Sequence, residues 1–243
     1  MKAIVLALDR ADSVCESAGP KCLLRVRGRT LLERAMTSVM YAGVREAICV
    51  VGDDAPEVIA SCRGFSPNLT IDYLQVRGDD RSDGAGLHAA RDLLDRDVLL
   101  LNADWMFPFP LLEPLVHAPG GDALLVDPQR LSIDHPRVVV EDGRVRDVLP
   151  AGEHVVAANG ECVGPLVLNR SGSHALREIL DVSGAPPDLA SIYRRLVVGH
   201  EVDGLSIGGI PWMRIDSPSD WSDLVDRGAW EIVRWEVAFA RRS

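Results

Sequence analysis

The sequence predicts an α/β protein built on a mostly parallel sheet, with a small antiparallel insertion. Three observations carry this. Short apolar runs rich in β-branched residues, such as Ile4–Leu8, Glu46–Val51 and Val98–Leu101, alternate with stretches of helical spacing. The connections between them are short, which favours parallel strands joined by right-handed crossovers. Glycine and aspartate directly follow the strands, as in Gly52-Asp53-Asp54 and Asn102-Ala103-Asp104, and open α/β sheets place their ligand crevice at that edge. With 243 residues, 47% of them hydrophobic, the chain can bury one large core, and residues 1–243 are expected to form a single domain.

The elements follow in order. Ile4–Leu8 is a strand buried on both faces, and Asp9–Gly19 is an irregular polar loop leading to Pro20-Lys21. Thr30 to Ala42 places Leu31, Leu32, Ala35, Met36, Val39 and Met40 at helical spacing, and Gly43 is its stop. Glu46–Val51 is the second strand, Pro56 to Cys62 a helix and Thr70–Gln75 the third strand. Ser82–Gly86 reads as a glycine-bearing loop before a helix from Leu87 to Leu94. The strand Val98–Leu101 ends at Asp104; a helix Leu111–Val116 and a strand Asp122–Val126 follow.

The pattern then changes. Asp142-Gly143 lies between Arg137–Glu141 and Arg144–Val148, a strong hairpin signal because Asp-Gly tolerates the positive φ of a tight turn. With the short segment His154–Ala157 it defines an antiparallel insertion over about 133–158. Glu161–Leu168 returns to the sheet, and helices are expected at Ser173–Leu180 and Leu189–Val197. Val202–Ser206 and Met213–Ile215 read as strands around a Gly208-Gly209 turn. A last helix opens with Ser217 as cap and Pro218 in its first position, and it carries Trp221, Trp230 and Trp235 as core or subunit-interface residues.

Composition excludes several functions. A formal charge of −10 and a pI near 5.0 argue against nucleic acid, which needs clustered Lys and Arg. The five cysteines show no CxxC spacing and read as reduced thiols. No stretch approaches the roughly 18 apolar residues of a membrane span, and the N-terminus opens on a strand rather than a signal peptide. The expected location is the cytoplasm, with no membrane partner.

Asp104, just past a buried strand, is the first candidate for chemistry, and Asp216 is the second. Two aspartates at strand ends suit Mg²⁺, which takes one or two carboxylates plus phosphate oxygens and water. Position alone leaves each open between metal ligand and turn residue. Lys21 can meet a phosphate as a point charge, or stand as a solvated surface lysine. Gly84, Ala85 and Gly86 can border a flat base, or form a plain loop. The first loop opposes a triphosphate: Arg10 is its only cation, against Asp9, Asp12 and Glu16. Two like charges about 4 Å apart near a surface repel by roughly 4 kcal/mol. These acids therefore point away, bind metal, or keep the triphosphate out.

Several segments resemble one family in order. MKAIVLA resembles its opening strand, and PKCLLRVRGRTLLERAMTSVMYAGVREAICVVG its PK segment, helix and second strand. DVLLLNADWMF resembles the strand ending in a metal-binding Asp, ECVGPLVLN the strand facing the acceptor, and WMRIDSPSDW the closing motif. The family is that of the sugar-phosphate and polyol-phosphate nucleotidyltransferases, MobA-like NTP transferases with a three-layer, Rossmann-like, GT-A-like fold. The layout is most similar to inositol-1-phosphate and phosphocholine cytidylyltransferases. The resemblance implies transfer of NMP from an NTP, CTP favoured, to a phosphorylated polyol, sugar or phosphonate, with release of pyrophosphate. It implies Lys21 on phosphate and Asp104 and Asp216 on Mg²⁺. Leu6, Ala7, Leu8, Arg10 and Ala103 would line the nucleotide, and Gly84 to Gly86 the base. The partners implied are a nucleotide and a small phosphorylated substrate, with a homodimer or a pairing with a homologue as the assembly.

The departures are specific. The family loop A-G-x-G-x-R aligns with Leu8 to Ser13, without its glycines or its arginine. Arg214 stands where the closing motif has its first Asp, and Ala103 where Gly usually precedes the metal-binding Asp. Two alternatives therefore stand beside the active enzyme: a degenerate relative acting through ligand or partner binding, and a GT-A-type transferase using an NDP-sugar.

Overall fold

The computed structural model describes residues 1–11, 14–16, 19–78, 80–153, 157–183 and 188–240. Asp12 and most of the expected segment His154–Ala157 lie outside the described residues. In chain order the elements are β1 (Lys2–Ala7), β2 (Arg25–Val26), β3 (Arg29–Thr30), α1 (Leu31–Tyr41), β4 (Glu46–Val51), α2 (Ala55–Ser61), β5 (Thr70–Gln75), α3 (Asp83–Ala89), β6 (Val98–Asn102), α4 (Glu113–Val116) and β7 (Ala123–Asp127). They continue with β8 (Arg137–Glu141), β9 (Arg144–Leu149), β10 (Gly160–Leu168), α5 (Arg170–Ser183), α6 (Leu189–Gly199), β11 (Asp203–Ser206), α7 (Pro218–Asp223) and α8 (Ala229–Ala240). No helix among the described residues is long and apolar enough to cross a membrane. All five cysteines are free.

The chain forms two compact units. An N-terminal unit holds Ala3–Arg81, Leu101–Glu113 and Ile210–Ser243, and a central unit holds Met1–Lys2, Ser82–Leu100 and Pro114–Gly209.

In the N-terminal unit β4 pairs in parallel with β1 on one side, from Ala3↔Ala47 to Ala7↔Val51, and with β5 on the other, from Glu46↔Thr70 to Val51↔Gln75. Its run AICVV is buried at every position, as a strand covered on both faces requires. Helix α1 begins where the sequence supplies a capping box: the Glu33 N–H donates to Thr30 Oγ1 at 3.0 Å, and the Thr30 N–H to Glu33 Oε2 at 2.6 Å. It stops at Gly43, whose φ of 84° is the left-handed turn a helix end favours. The loop after β1 is less polar than it reads. Ala11 and Val14 are each 1% exposed, packed with Leu24, Val26, Leu31, Met106, Ile215, Leu224 and Ile232. Two small apolar side chains among acids thus pin this loop to the first helix and to the C-terminal segment.

In the central unit β10 runs antiparallel to both β6 and β7, and β11 runs parallel to β7. The β8–β9 hairpin forms as expected, with Asp142 at φ 51° and Gly143 at 76°. It is wired into the sheet, because β8 also pairs with β10, and β9 with β11. The pairing of β10 with β7 shifts register between Cys162 and Leu166, where Gly164 has φ 117° and Pro165 has no N–H for the ladder. The Tyr193 hydroxyl donates to the Gly164 carbonyl at 3.1 Å, which satisfies a buried acceptor at the bulge.

Glu161 is fully buried in β10 and accepts from the Ser132 N–H at 2.6 Å, with His135 Nδ1 at 3.3 Å and Arg130 Nε at 3.5 Å. Burial pushes its carboxyl up, but the hydrogen bonds from His135 and Ser132 and the Arg130 charge outweigh it, and the net shift is downward. Folding is therefore favoured by this group above the unfolded carboxylate value of about 4.3, and the contribution is lost as pH falls through the folded value. Glu161→Ala is expected to destabilise by about 2–3 kcal/mol at pH 7, with a smaller difference from wild type in acid, read from urea midpoints.

Three local expectations are corrected. Ser82–Gly86 is not a loop: Ser82 accepts from the Ala85 N–H at 3.2 Å, so the helix starts at Asp83 and contains both glycines, and it ends at Ala89 rather than Leu94. The serine cap outweighs the low helix propensity of glycine. Met213–Ile215 is not a strand; Met213 makes only an isolated bridge to Met106. The last helix is interrupted by a π-turn at Leu224–Gly228. Of its tryptophans Trp230 is 53% exposed, under the Arg27 guanidinium at 3.6 Å.

Candidate active site

Lys21 lies at the centre of the candidate site, and it is no surface lysine. It is 2% exposed, at the start of a 3₁₀ turn Lys21–Leu23. The loop delivers it there through the Lys21 N–H to Asp9 carbonyl bond at 2.8 Å, the Ala11 N–H to Gly19 carbonyl bond at 2.8 Å, and a bridge between Arg10 and Pro20. Its ammonium meets Asp104 Oδ2 at 2.6 Å, Asp9 Oδ2 at 2.9 Å and the Ile215 carbonyl at 2.8 Å. A lysine has three N–H donors, and these three oxygens use them all.

Burial alone would lower the Lys21 pKa, but the Asp104 and Asp9 carboxylates outweigh it and hold it above its usual value. Asp104 is pushed upward, chiefly by burial, with Lys21 pulling it down and Asp9 and Asp216 adding to the rise. The two shifts favour opposite charge states for the pair. The lysine decides it, because its charge is held by two carboxylates and a carbonyl at hydrogen-bond distance.

Asp104 lies two residues past the end of β6, where the sequence places it, with Ala103 before it; the Ala103 N–H donates to the Leu6 carbonyl at 2.8 Å. Leu6, Ala7 and Leu8 are all buried at the end of β1. Asp104 Oδ1 is buried and, among the described residues, has no hydrogen-bond partner. An acceptor desolvated without a donor is costly, and a hard cation is one group that would satisfy it. Asp216 is near enough for its charge to act on Asp104, yet its side chain is 40% exposed. Arg214 Nε pairs with Asp216 Oδ2 at 2.9 Å, and the Asp216 N–H donates to Asp220 Oδ2 at 3.0 Å. Among the described residues no group of three or more His, Cys, Asp or Glu could hold a metal. Two aspartates completed by water and phosphate oxygens are nevertheless a donor set that fits Mg²⁺.

Arg10 does not join Lys21. Its Nη1 reaches the two Asp54 oxygens at 3.0 and 3.3 Å, beyond the end of β4. Asp54 also lies 3.4 Å from Arg81 Nη1, and Arg81 Nη2 meets Asp53 at 2.9 Å. Gly84, Ala85 and Gly86 belong to the central unit, whereas all the other expected site residues belong to the N-terminal one. Sequence reading overlooked Arg81 and the Asp9–Lys21 pair. The only signals were Asp53-Asp54 directly after a strand and the unusual acid directly after Leu8.

Comparison with solved structures defines the fold. The inositol-1-phosphate CTP transferase from T. maritima superposes with a TM-score of 0.75 at 20% identity, covering 96% of this chain and 95% of that one. A UDP-glucose pyrophosphorylase complexed with UDP-glucose superposes at 0.72 and 12% identity, over 100% and 99%. The fold is the expected Rossmann-like, GT-A-like α/β fold of nucleotidyltransferases. The model of the MobA-like NTP transferase domain matches residues 3–185, and the chain belongs to that family. Among curated relatives, the bifunctional IPC transferase and DIPP synthase of Rubrobacter xylanophilus is 28% identical over 90% of this chain and 50% of its own length. The CMP-5'-(3-aminopropyl)phosphonate synthase of Streptomyces rubellomurinus is 30% identical over 94% of this chain and 37% of its own. The chain thus spans half the length or less of these two relatives.

Proposed function

We propose that this chain transfers a cytidylyl group from CTP to a phosphorylated polyol or a phosphonate. An acceptor oxygen attacks the α-phosphorus, the bond from the α-phosphorus to the bridging α–β oxygen breaks, and pyrophosphate leaves. Support comes from family membership and from relatives named for an IPC transferase and a CMP-phosphonate synthase. The observation that carries the reading is the buried Lys21–Asp104 pair with its unpartnered Asp104 Oδ1. The chain retains a cation for phosphate and a carboxylate oxygen for Mg²⁺ at the end of β6. Mg²⁺ bound by Asp104 and Asp216 would neutralise charge on the phosphate oxygens. Lys21 must give up one acceptor to meet a phosphate. Asp9 is the one that yields, because its side chain is 44% exposed and water can take the ammonium's place.

The test is pyrophosphate release with each of four NTPs, Mg²⁺ and a panel of inositol phosphate, phosphocholine, sugar phosphates and aminoalkylphosphonates. CTP is expected to outpace the other nucleotides with one acceptor class. No release from any NTP, together with no CTP binding by calorimetry, would reject the reading and leave a ligand- or partner-binding relative in its place.

A further inference from the structure

We infer that Arg214 is a positioning residue for the metal: its guanidinium occupies the Asp216 carboxylate and yields it to a cation that arrives with the nucleotide. This rests on the nucleotidyltransferase reading, whose Mg²⁺ site it governs. The first support is how the backbone builds the pair. Met106 and Met213 exchange N–H to carbonyl bonds at 2.9 and 2.8 Å, which pins the segment from Met213 beside the chain just past Asp104. Two residues on, Ile215 is fully buried and its carbonyl accepts from Lys21 at 2.8 Å. Arg214 and Asp216 flank that buried position, with side chains 16% and 40% exposed, and meet each other, Nε to Oδ2 at 2.9 Å.

The second support is where the pair lies. The Arg214 guanidinium sits over the Trp105 ring at 5.8 Å, and Trp105 is the residue after Asp104. Asp216 is close enough for its charge to act on Asp104. The guanidinium is therefore beside both aspartates of the expected metal site. Its position in the sequence is that of the closing motif's first aspartate, so a cation stands where the family has an anion.

Charge decides how the pair works. A guanidinium beside a metal ligand repels a bare dication and competes with it for the carboxylate oxygens. Among the described residues no group of three or more His, Cys, Asp or Glu could hold a metal, so the protein has few carboxylates to win that competition for free Mg²⁺. Phosphate oxygens of a nucleotide supply the missing ligands and the missing negative charge. Asp216 is the partner that moves, because its exposed side chain can turn from Arg214 to the metal without opening the core. Arg214 stays against Trp105. Cation and nucleotide thus enter together, and the site discriminates against the cation alone.

Mn²⁺ titrations followed by electron paramagnetic resonance, with and without CTP, test this. Without CTP, Arg214→Ala should bind Mn²⁺ about tenfold tighter than wild type, because the competing cation is gone. Arg214→Lys, which keeps the charge, should stay within about threefold of wild type. Adding Asp216→Asn to Arg214→Ala should erase the gain. With CTP present the gain should shrink to about threefold or less, since the phosphate oxygens already outweigh the guanidinium. A merely structural ion pair predicts otherwise: its loss loosens Asp216 and leaves Mn²⁺ binding unchanged or weaker, and either outcome overturns the inference. Arg214→Gln keeps an amide beside Asp216 without the charge, and it supplies the same readout should the alanine variant not fold. Tighter Mn²⁺ in Arg214→Ala, with no CTP binding and no pyrophosphate release by the wild type, keeps the role of Arg214 and removes the nucleotidyltransferase reading. Pyrophosphate release by the wild type with no gain in Arg214→Ala removes the role of Arg214 alone.

Discussion

Lys21→Met is expected to destabilise the protein by about 3–5 kcal/mol at pH 7 and to abolish pyrophosphate release. The methionine fills much of the lysine's volume, so the loss is electrostatic. Asp104 would be left buried, with Asp9 and Asp216 still acting on it and no cation beside it. The pH dependence carries the sign. In the wild type the raised Lys21 pKa means its contribution is fully present below the unfolded lysine value of about 10.4. It is lost only as pH rises through the folded value, so the wild type keeps it across pH 5–9. In the variant Asp104 has a raised pKa and no partner, so its stability is greatest in acid and falls as pH rises through that pKa. The gap between variant and wild type should therefore widen in urea denaturation as pH rises from the unfolded aspartate value of about 3.9 through the raised folded value. Lys21→Met combined with Asp104→Asn should regain most of the stability and none of the activity. A gap independent of pH would show that Lys21 acts through packing.

Asp104→Asn separates chemistry from folding. Asparagine keeps the shape, and Lys21 retains Asp9 and the Ile215 carbonyl. The thermal midpoint should change little. Transfer should fall by roughly 10³-fold, about 4 kcal/mol of transition-state stabilisation, because a neutral amide is a poor ligand for a hard cation. Mn²⁺ binding followed by electron paramagnetic resonance should weaken in parallel. Activity within tenfold of wild type would remove Asp104 from the metal site.

Much of this was legible in the linear pattern because it is written locally. Periodicity and caps place Glu46–Val51 and Thr70–Gln75 within their observed bounds, and Thr30, Gly43 and Ser217 mark helix ends by chemistry that acts within a few residues. Asp142-Gly143 marks its turn in the same way. The errors fall where a local signal is ambiguous. Gly84 and Gly86 read as a loop until Ser82 is seen to cap a helix over them, and Met213–Ile215 reads as a strand although only Met213 finds a bridging partner.

The site divides along the same line. Strand ends mark Asp104 as a candidate by position, and a Pro-Lys pair after a loop marks Lys21 as one by type. Neither tells whether the two meet, because ion pairing depends on distance across 83 residues of chain, the separation of Lys21 from Asp104. The sequence by itself determined the α/β class, the order of most elements, and the presence of an acidic first loop lacking the family's glycines. Only the tertiary structure decided what those acids do. Burial of Ala11 and Val14 folds the loop back, so that Asp9 neutralises Lys21 instead of repelling a triphosphate from solvent. The edge shared by β1, β4 and β5 collects Arg10, Asp54 and Arg81, residues whose charges interact only through space.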